Sequence, residues 1–397
     1  RETWKLEVFA DPADAEKKLK PALLGNPMTT AGGNPFTFAD LIKLAETKAV
    51  RFLKAVSCNN LATPLGIGVW EGVPLRDVLW LTKPKENYRS VYYDGYHNDD
   101  PKQIFQCWLP ANRVLEDPPG FLPVILCYKI NGEWLTGERG GPVRMVVPEA
   151  YGFKSVKWIQ RVVITNQYQA QDTYALQNND VNDSWMKMRA IFEKVPGRVK
   201  PGAPFAITGQ AQVGIGGLAK VQWWAKPHDQ AWLPEDEYFA TAPWQDAEIL
   251  PLPKDWRGGV EMGAMHPAQF DPATGEPREW PLRNTVCYWG AMVPGLAVGK
   301  YDLRCRGIDL AGNASLAGIE RNGMTAVAAR TRPVLQQGVC FQHSLDPCGQ
   351  SHADQDRDGF LKADVLHGSK LPSVVLTAAR DVRQSRAWRG VDRRTAR

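Results

Sequence analysis

Residues 140–165, GGPVRMVVPEAYGFKSVKWIQRVVIT, decide the fold of this chain. Two apolar strand-like runs, PVRMVVP and SVKWIQRVVIT, are joined there through a proline and a Gly-Phe turn. Four cations stand near the tight turns: Arg139, just before the stretch, and Arg144, Lys154 and Lys157 within it. Ser155 lies next to Lys154. Cations and outward-pointing backbone N–H groups together make a site for an anion such as a phosphate. A basic surface hairpin with solvated lysines is the alternative, and composition alone weighs the two evenly.

Upstream of this stretch, residues 1–190 mix strands with helices and predict an α+β domain. In FTFADLIKLA (36–45) the apolar residues recur at helical spacing, and Thr37 is placed to cap the helix. The run KAVRFLKAVSC (48–58) is typical of a strand that ends at Cys58. A polar NNLATP loop follows, so Cys58 stands where a scaffold presents a ligand to a cleft. A buried core thiol is the alternative for a lone cysteine.

Downstream, from about Pro196, the sequence changes to short strand-like runs divided by Gly, Pro and Asn. GAPFAITGQAQ, AKVQWWAKP and KYDLRCRGIDLAGNAS are the clearest of them. Such strands over roughly 130 residues predict an immunoglobulin-like β-sandwich at 197–325. Residues 332–397 lack this patterning and predict an irregular basic tail.

Composition and charge exclude several classes of protein. Hydrophobic residues make up 44% and charged residues 23%, as in ordinary globular proteins, and no apolar run is long enough to predict a membrane span. The net charge of +5 is concentrated in residues 368–397, so it does not argue for a nucleic-acid partner. The chain begins with Arg1 in a strand-like run, and we expect a missing N-terminal piece that held any signal segment.

The seven cysteines contain no CxxC pair, so no zinc site or haem attachment is encoded locally. Cys127 and Cys305 fall in strand-like runs and are expected to be buried, inert thiols. Cys340 and Cys348 could pair in an oxidising compartment.

Three motifs that follow Cys58 resemble the sulfite oxidase superfamily of molybdopterin-dependent oxidoreductases. They are VWEGVPLRDVLWL (69–81), NGEWL (131–135) and the stretch 140–165. The resemblance covers roughly residues 3–325. It implies a sulfite oxidase-type molybdopterin-binding domain at 1–190, followed by the family's dimerisation domain. We therefore expect a twofold homodimer, in which the aromatic strand that carries Trp223 and Trp224 supplies contact surface.

The resemblance also implies which residues hold the cofactor, a molybdenum–molybdopterin (Mo-pyranopterin) group. Cys58 stands where the family's molybdenum-ligating thiolate stands, and a soft thiolate suits such a metal. Arg144 and Lys157 match positions that hold the pyranopterin and its phosphate. Lys154 matches a position that is usually basic, and Ser155 belongs to the same cluster.

Other positions concern the substrate. Tyr174 falls where the family has an active-site tyrosine, an interface tyrosine being the alternative, and Tyr96 is expected in a pocket wall. Arg139 replaces the histidine of sulfite-oxidising members and is expected to attract an anion as a catalytic group. Leu218 stands in the slot of the family's metal-facing arginine, and the family's N-terminal Arg/His segment is absent from this chain. Sulfite is therefore expected to be a poor substrate.

Together these features predict a molybdenum-dependent oxidoreductase that transfers an oxygen atom to or from a small sulfur or other oxyanion, or an S-oxide. Electrons would leave to an external carrier such as a cytochrome c, since the sequence has no haem motif. A periplasmic or secreted location is expected. The alternative is a cofactor-free secreted interaction protein with the same fold; the missing substrate arginines favour it, while Cys58 and the 144–157 cluster oppose it.

A separate hypothesis concerns DQDRDG (354–359) in the tail. Asp354, Asp356, Asp358 and Gly359 match the first positions of a calcium-binding EF-hand loop, but Val365 stands where the bidentate glutamate should be. A solvated acidic loop is the alternative.

Overall fold

A computed structural model describes the chain over residues 1–58, 63–85, 88–96, 104–168, 172–173, 184–236, 238–254, 256 and 263–315, with a short backbone strand at 373–375. Tyr174, the Cys340–Cys348 pair and the proposed calcium loop lie outside the described residues. Among the described residues, no helix combines the length and the apolar character that a membrane crossing requires.

Strands predominate in the N-terminal region, and its helices are short. The strands are β1 (Lys5–Ala10), β2 (Phe36–Thr37), β3 (Val50–Val56), β4 (Gly66–Pro74), β5 (Ser90–Gly95), β6 (Gln106–Pro110), β7 (Ile125–Ile130), β8 (Glu133–Trp134), β9 (Arg144–Val146) and β10 (Ile159–Thr165). The helices are α1 (Ala13–Glu16), α2 (Phe38–Lys48), α3 (Leu75–Leu81) and α4 (Ala111–Val114), and a 3-10 turn spans Gly152–Lys154.

Two sheets form this region. One has the order β2-β1-β10-β5-β6, with β10 parallel to β1, and the other has the order β3-β4-β7-β8, with β9 added beside β7. Leu6 and Val8 of the first sheet share one buried apolar cluster with Leu126 of the second, so the core lies between the sheets. Because β9 and β10 belong to different sheets, residues 147–158 carry the chain across this core.

Local signals explain several of these elements. The Thr37 hydroxyl accepts a hydrogen bond from the Asp40 N–H, and the Asp40 carboxylate accepts one from the Thr37 N–H. This reciprocal pair confirms the predicted cap and is worth about 1 kcal/mol. Asn131 and Gly132 both have positive φ (51° and 80°), as a two-residue turn between β7 and β8 requires.

The C-terminal region is a seven-stranded sheet of short strands, and its last strand, at residues 373–375, lies within the tail that was predicted to be irregular. Its strands are β11 (Arg189–Lys194), β12 (Phe205–Gln212), β13 (Lys220–Pro227), β14 (Gln245–Ile249), β15 (Val286–Val293), β16 (Lys300–Ile308) and β17 (Ser373–Val375), in the order β11-β12-β15-β14-β13-β16-β17. The strand β14 changes partner, because residues 245–247 pair with β13 and residues 248–249 pair with β15. An immunoglobulin-like arrangement of this sheet stays a prediction.

Both tryptophans on which the dimer prediction was based are buried within one chain. Trp223 lies in the core of the seven-stranded sheet. Trp224 faces the other side and is covered by the chain's own loop, with the rings of Trp232 and Trp244 at 4.7 and 5.9 Å. These residues therefore offer no exposed aromatic surface to a second copy, and the homodimer stays a prediction without that support.

Of the two strand thiols, Cys127 is buried as expected, whereas Cys305 is partly buried. Cys127 lies in β7 and Cys305 in β16. Burial raises the pKa of the Cys127 thiol to about 12 and holds the pKa of the Cys305 thiol well above its ordinary value. Neither thiol is therefore ionised near neutral pH, which agrees with a structural role.

Candidate active site

Cys58 lies two residues beyond the end of β3 and is buried. The 3-10 turn at 152–154 packs against it, and the Gly152 N–H donates to the Ser57 carbonyl at 2.8 Å. A Cβ atom at position 152 would stand 3.7 Å from the Cys58 sulfur but only 2.9 Å from a Val56 methyl. A glycine is therefore needed for the turn to approach Cys58 this closely.

Lys54, four residues before Cys58, is a wholly buried lysine that the sequence analysis did not single out. It shares a face of β3 with the core residues Phe52 and Val56, because side chains alternate along a strand. Its Nζ donates to the carbonyls of Ala55 (2.9 Å) and Ala150 (3.0 Å). Lys54 thus joins the strand that leads to Cys58 to the segment that leads to Gly152.

The charges of three further side chains act on the pKa of Lys54. Burial lowers the pKa of Lys54 from 10.5 to about 7. The charge of Glu149 raises this pKa, that of Arg144 lowers it, and that of Cys58 raises it. Charges act this strongly only over short distances inside a protein. The predicted metal ligand and one predicted cofactor residue therefore lie around a single buried ammonium group.

Glu149 is already neutralised by another side chain. Its carboxylate accepts hydrogen bonds from the Arg113 Nε at 2.7 Å and from the Arg113 Nη2 at 3.0 Å, and both residues are buried. Such a two-point contact is the strong form of a carboxylate–guanidinium pair. Lys54 itself forms no ion pair with any residue that the structure describes.

Arg144 is also buried, at 1% exposure. Its guanidinium donates to the carbonyls of Arg139 (3.0 Å) and Ser155 (2.5 Å) and lies over the Trp70 ring at 5.3 Å. The Ser155 hydroxyl accepts from the Val147 N–H at 3.2 Å. These contacts brace the stretch on both sides of Gly152, and a role for Arg144 and Ser155 in holding a cofactor stays a prediction.

The two predicted lysines of this stretch differ in environment. Lys154 is fully buried, and its Nζ donates to the Asp172 carboxylate at 2.6 Å and to the Trp108 carbonyl at 2.7 Å. Lys157 is half-buried and donates to the Glu138 carbonyl at 2.6 Å. A carboxylate thus compensates the charge of Lys154, whereas Lys157 contacts a neutral carbonyl.

The chemistry of this donor set fits an anionic, thiolate-bound cofactor. Lys54, Arg144 and Lys154 are three buried cations around Cys58 and the turn beside it. Burying a charge costs several kcal/mol unless an opposite charge compensates it. Asp172 compensates Lys154, so an anionic group bound beside Cys58 would supply the compensation that the carbonyl acceptors of Lys54 do not.

Residues of the C-terminal region form hydrogen bonds with the backbone at the edge of β3. The Gln269 carboxamide makes two hydrogen bonds to the Leu53 backbone, at 2.9 and 2.8 Å. The Ala55 N–H donates to the Asn284 carbonyl at 2.8 Å, and the His266 N–H donates to the Arg51 carbonyl. Because β3 is an edge strand of its sheet, these contacts replace a neighbouring strand. The position of Cys58 therefore depends on both regions of the chain.

A cavity of about 250 Å³ lies where these two regions meet. Glu149, Ile215, Gln269, Arg283 and Asn284 contribute to its wall. The Asn284 Oδ1 is buried without a hydrogen-bond partner among the described residues. Arg283 and Glu279 both line the cavity, and the Arg283 Nη1 donates to the Glu279 carboxylate at 2.7 and 2.8 Å, so this cation is paired within the wall. The cavity thus has polar groups that a small polar ligand could use.

Leu218 does not face this cavity, although it stands in the slot of the family's arginine. It is 4% exposed in the core of the seven-stranded sheet. The cation beside the same turn is Arg283, whose Nε would be 3.7 Å from a Cβ atom at Gly217. A local motif could not have indicated Arg283, because it comes from a different segment of the chain.

Tyr96 is half-exposed and lines a separate cleft of about 710 Å³, together with Trp4, Asp94 and Arg161. Cys58 does not line this cleft, so a place for Tyr96 in the wall of the substrate pocket stays a prediction. Arg139 is half-buried and lines neither cavity. The structure therefore does not bring Tyr96 and Cys58 into one described pocket.

Comparisons with known proteins match part of the N-terminal region to a known family. Residues 29–174 match the family model of the oxidoreductase molybdopterin binding domain. The NADPH nitrate reductase of Beauveria bassiana is 30% identical over 122 residues, and the mitochondrial sulfite oxidase of Drosophila melanogaster is 31% identical over 137 residues. These alignments cover 31% and 34% of this chain but only 13% and 22% of the relatives. The chain thus spans less than a quarter of the length of these relatives.

Among solved structures, the sulfane dehydrogenase SoxCD from Paracoccus pantotrophus is similar, with a TM-score of 0.51. The likeness covers 79% of this chain and 69% of that chain at 18% sequence identity, so it concerns the fold alone. It supports the sulfite oxidase-type fold predicted from the motifs. Because sulfite oxidase and nitrate reductases match about equally well, the comparisons do not separate sulfur from nitrogen oxyanions.

Proposed function

Since this chain belongs to the molybdopterin-dependent oxidoreductase superfamily, with molybdenum–molybdopterin as its cofactor, we propose that it transfers an oxygen atom to or from a small sulfur or other oxyanion, or an S-oxide. The observation that carries the proposal is the burial of Lys54 and Arg144 around Cys58 within the matched domain. Cations around a thiolate ligand suit both an anionic cofactor and an anionic substrate.

When bound, the cofactor supplies two-electron oxygen-atom transfer. Cys58 holds the metal through its thiolate, a soft donor. Arg144, Lys154, Ser155 and Lys157 hold the organic part of the cofactor, as the resemblance implies. Arg139 attracts the anion, and Tyr174 hydrogen-bonds the transferred oxygen.

We propose the cavity beside Asn284 as the substrate pocket; Cys58 does not itself line it and is linked to it through neighbouring residues. Its wall residue Asn284 bonds to the backbone of Ala55, three residues before Cys58, and its wall residue Glu149 acts on Lys54. Its volume equals that of several waters, enough for a small oxyanion. Arg283, which is paired with Glu279 of the same wall, is the cation among its described lining residues, whereas Leu218 lies in the core of the seven-stranded sheet.

Electron transfer and assembly complete the proposal. An external carrier such as a cytochrome c is proposed to exchange electrons with the molybdenum centre. A homodimer in a periplasmic or secreted location is proposed with it. Light scattering tests the homodimer, and cell fractionation of the full-length protein tests the location.

Metal analysis with substrate-dependent spectra tests the function. Protein from a host that makes the cofactor is assayed for molybdenum, and absorption spectra are recorded before and after sulfite. The reduced protein is then mixed with nitrate or with an S-oxide. Spectral turnover with one of these compounds supports the proposal. Molybdenum without any turnover would refute the substrate class, and protein without molybdenum would favour the cofactor-free interaction protein.

A further inference from the structure

Lys54 and Lys154 are both fully buried, but Lys154 pairs with Asp172, whereas Lys54 forms no ion pair with any described residue. It is fully buried on the core face of β3, between Phe52 and Val56, where an apolar side chain would be expected. Its two hydrogen-bond acceptors, the carbonyls of Ala55 and Ala150, are neutral. A neutral donor could satisfy both carbonyls without the cost of burying a charge.

The surroundings leave this charge without compensation. Glu149 is the carboxylate that acts on Lys54, but Arg113 holds both of its oxygens. Arg144 adds a second positive charge nearby. A protein keeps such an arrangement at a cost in stability, and that cost is offset when an anion binds.

We propose that Lys54 is a cofactor-retaining residue, whose ammonium supplies the positive charge against which the anionic organic group of the cofactor is held beside Cys58. The proposal rests on the cofactor assignment and is independent of the substrate. The same amine joins β3 to the turn around Gly152, so it also positions the two segments between which Cys58 lies.

The competing explanation is that Lys54 only links these two segments. The two roles predict opposite effects on the cofactor-free protein. If the charge serves the cofactor, its removal relieves an uncompensated buried charge, and the cofactor-free fold becomes more stable. If Lys54 is only a link, its removal leaves buried carbonyls without donors and makes the fold less stable.

The test compares the parent with Lys54→Gln and Lys54→Met. The glutamine amide can still donate to carbonyls but carries no charge. Lys194→Met, which removes an exposed lysine at the end of β11, is the matched control. Each protein is made once in a host that supplies the cofactor, for molybdenum and pterin content per chain. It is made again in a host that lacks the cofactor, for its melting temperature.

We expect Lys54→Gln and Lys54→Met to lose about tenfold or more of their molybdenum and pterin, as is usual when a group that supports a metal site is removed. Their cofactor-free melting temperatures should equal or exceed that of the parent, and Lys194→Met should match the parent in both measurements. Unchanged pterin in both variants would overturn the proposal. So would pterin loss together with a lower cofactor-free melting temperature, which is the result for a link alone. A parent without molybdenum would instead refute the cofactor assignment.

Discussion

The Gln269 carboxamide accepts a hydrogen bond from the Leu53 N–H and donates one to the Leu53 carbonyl, although the two residues lie 216 positions apart in the chain. The carboxamide presents a donor and an acceptor in the spacing of a backbone peptide, so it replaces a neighbouring strand at the edge of β3. Since β3 leads directly to Cys58, this contact makes the proposed metal ligand depend on the C-terminal region.

Gln269→Leu should therefore loosen β3. The change leaves a buried N–H and a buried carbonyl of Leu53 without partners, at about 1–3 kcal/mol each. Hydrogen exchange of the Leu53 amide should become faster and molybdenum content should fall, while Gln160→Leu, an exposed change in β10, should alter neither. If the Leu53 amide stayed fully protected in Gln269→Leu, the proposed coupling between the regions would be wrong.

The stability of the cofactor-free protein should rise with pH above neutrality. The pKa of Lys54 is about 7 in the folded protein and 10.5 for a solvated lysine, so the unfolded chain binds more protons between these values. Burial of the charged amine lowers the free energy of unfolding by at most about 5 kcal/mol. This destabilisation is fully present below pH 7 and disappears as the pH approaches 10.5. Of the other groups that act on Lys54, Glu149 and Cys58 raise its pKa, and Arg144 lowers it.

Denaturant unfolding at about pH 6.5 and at about pH 9.5, on either side of this change in protonation, measures the effect. The parent should gain stability between the two values relative to Lys54→Met, which has no amine at this position. Equal pH dependence in the parent and in Lys54→Met would show that the Lys54 amine does not titrate in this range.

Arg283→Leu should lower kcat/KM for the oxyanion substrate by about ten- to a hundredfold, since one charged hydrogen bond is worth about 1.5–3 kcal/mol. Molybdenum and pterin content should not change, because Arg283 lies in the wall of the cavity and not around Lys54. Arg198→Leu removes an exposed arginine and serves as the control. An unchanged kcat/KM in Arg283→Leu would remove this cavity from the proposed substrate pathway.

Leu218→Arg should destabilise the protein without creating a substrate site. Position 218 lies in the core of the seven-stranded sheet, where an unpaired charge costs several kcal/mol. A lower melting temperature with no gain in sulfite turnover is expected, and Leu310→Arg, at a position 59% exposed, should leave the melting temperature near that of the parent. A stable Leu218→Arg protein with faster sulfite oxidation would show that position 218 does serve the site. Slow sulfite turnover by the parent stays a prediction.

Sequence patterns predicted the elements whose causes are local. The Thr37 cap and the strand before Cys58 each follow from residues within a few positions of one another. The importance of Lys54 could not be predicted in this way, because a lysine that alternates with apolar residues usually lies on a solvated face. Only the folding of the second sheet places that face of β3 in the interior, where Phe52 and Val56 share a buried cluster with Ile125 and Cys127 of β7.

Contacts between residues far apart in the sequence could not be predicted from local patterns either. The family pattern expects an arginine where Leu218 stands, whereas the structure brings in Arg283 from another segment beside the same turn. The aromatic residue Trp224 suggested a contact with a second chain, but the chain's own loop covers it. Such outcomes depend on how distant segments return to one another, which no local pattern encodes.

The most direct measurement for the whole account is molybdenum and pterin per chain in Cys58→Ser beside the parent and Cys305→Ser. A serine hydroxyl is a harder and far less acidic donor than a thiol, so it should not hold the metal. The account predicts stoichiometric molybdenum in the parent and in Cys305→Ser. It predicts almost none in Cys58→Ser, with oxygen transfer lost and the cofactor-free melting temperature unchanged. Full molybdenum content and full turnover in Cys58→Ser would contradict the assignment of Cys58 as the ligand.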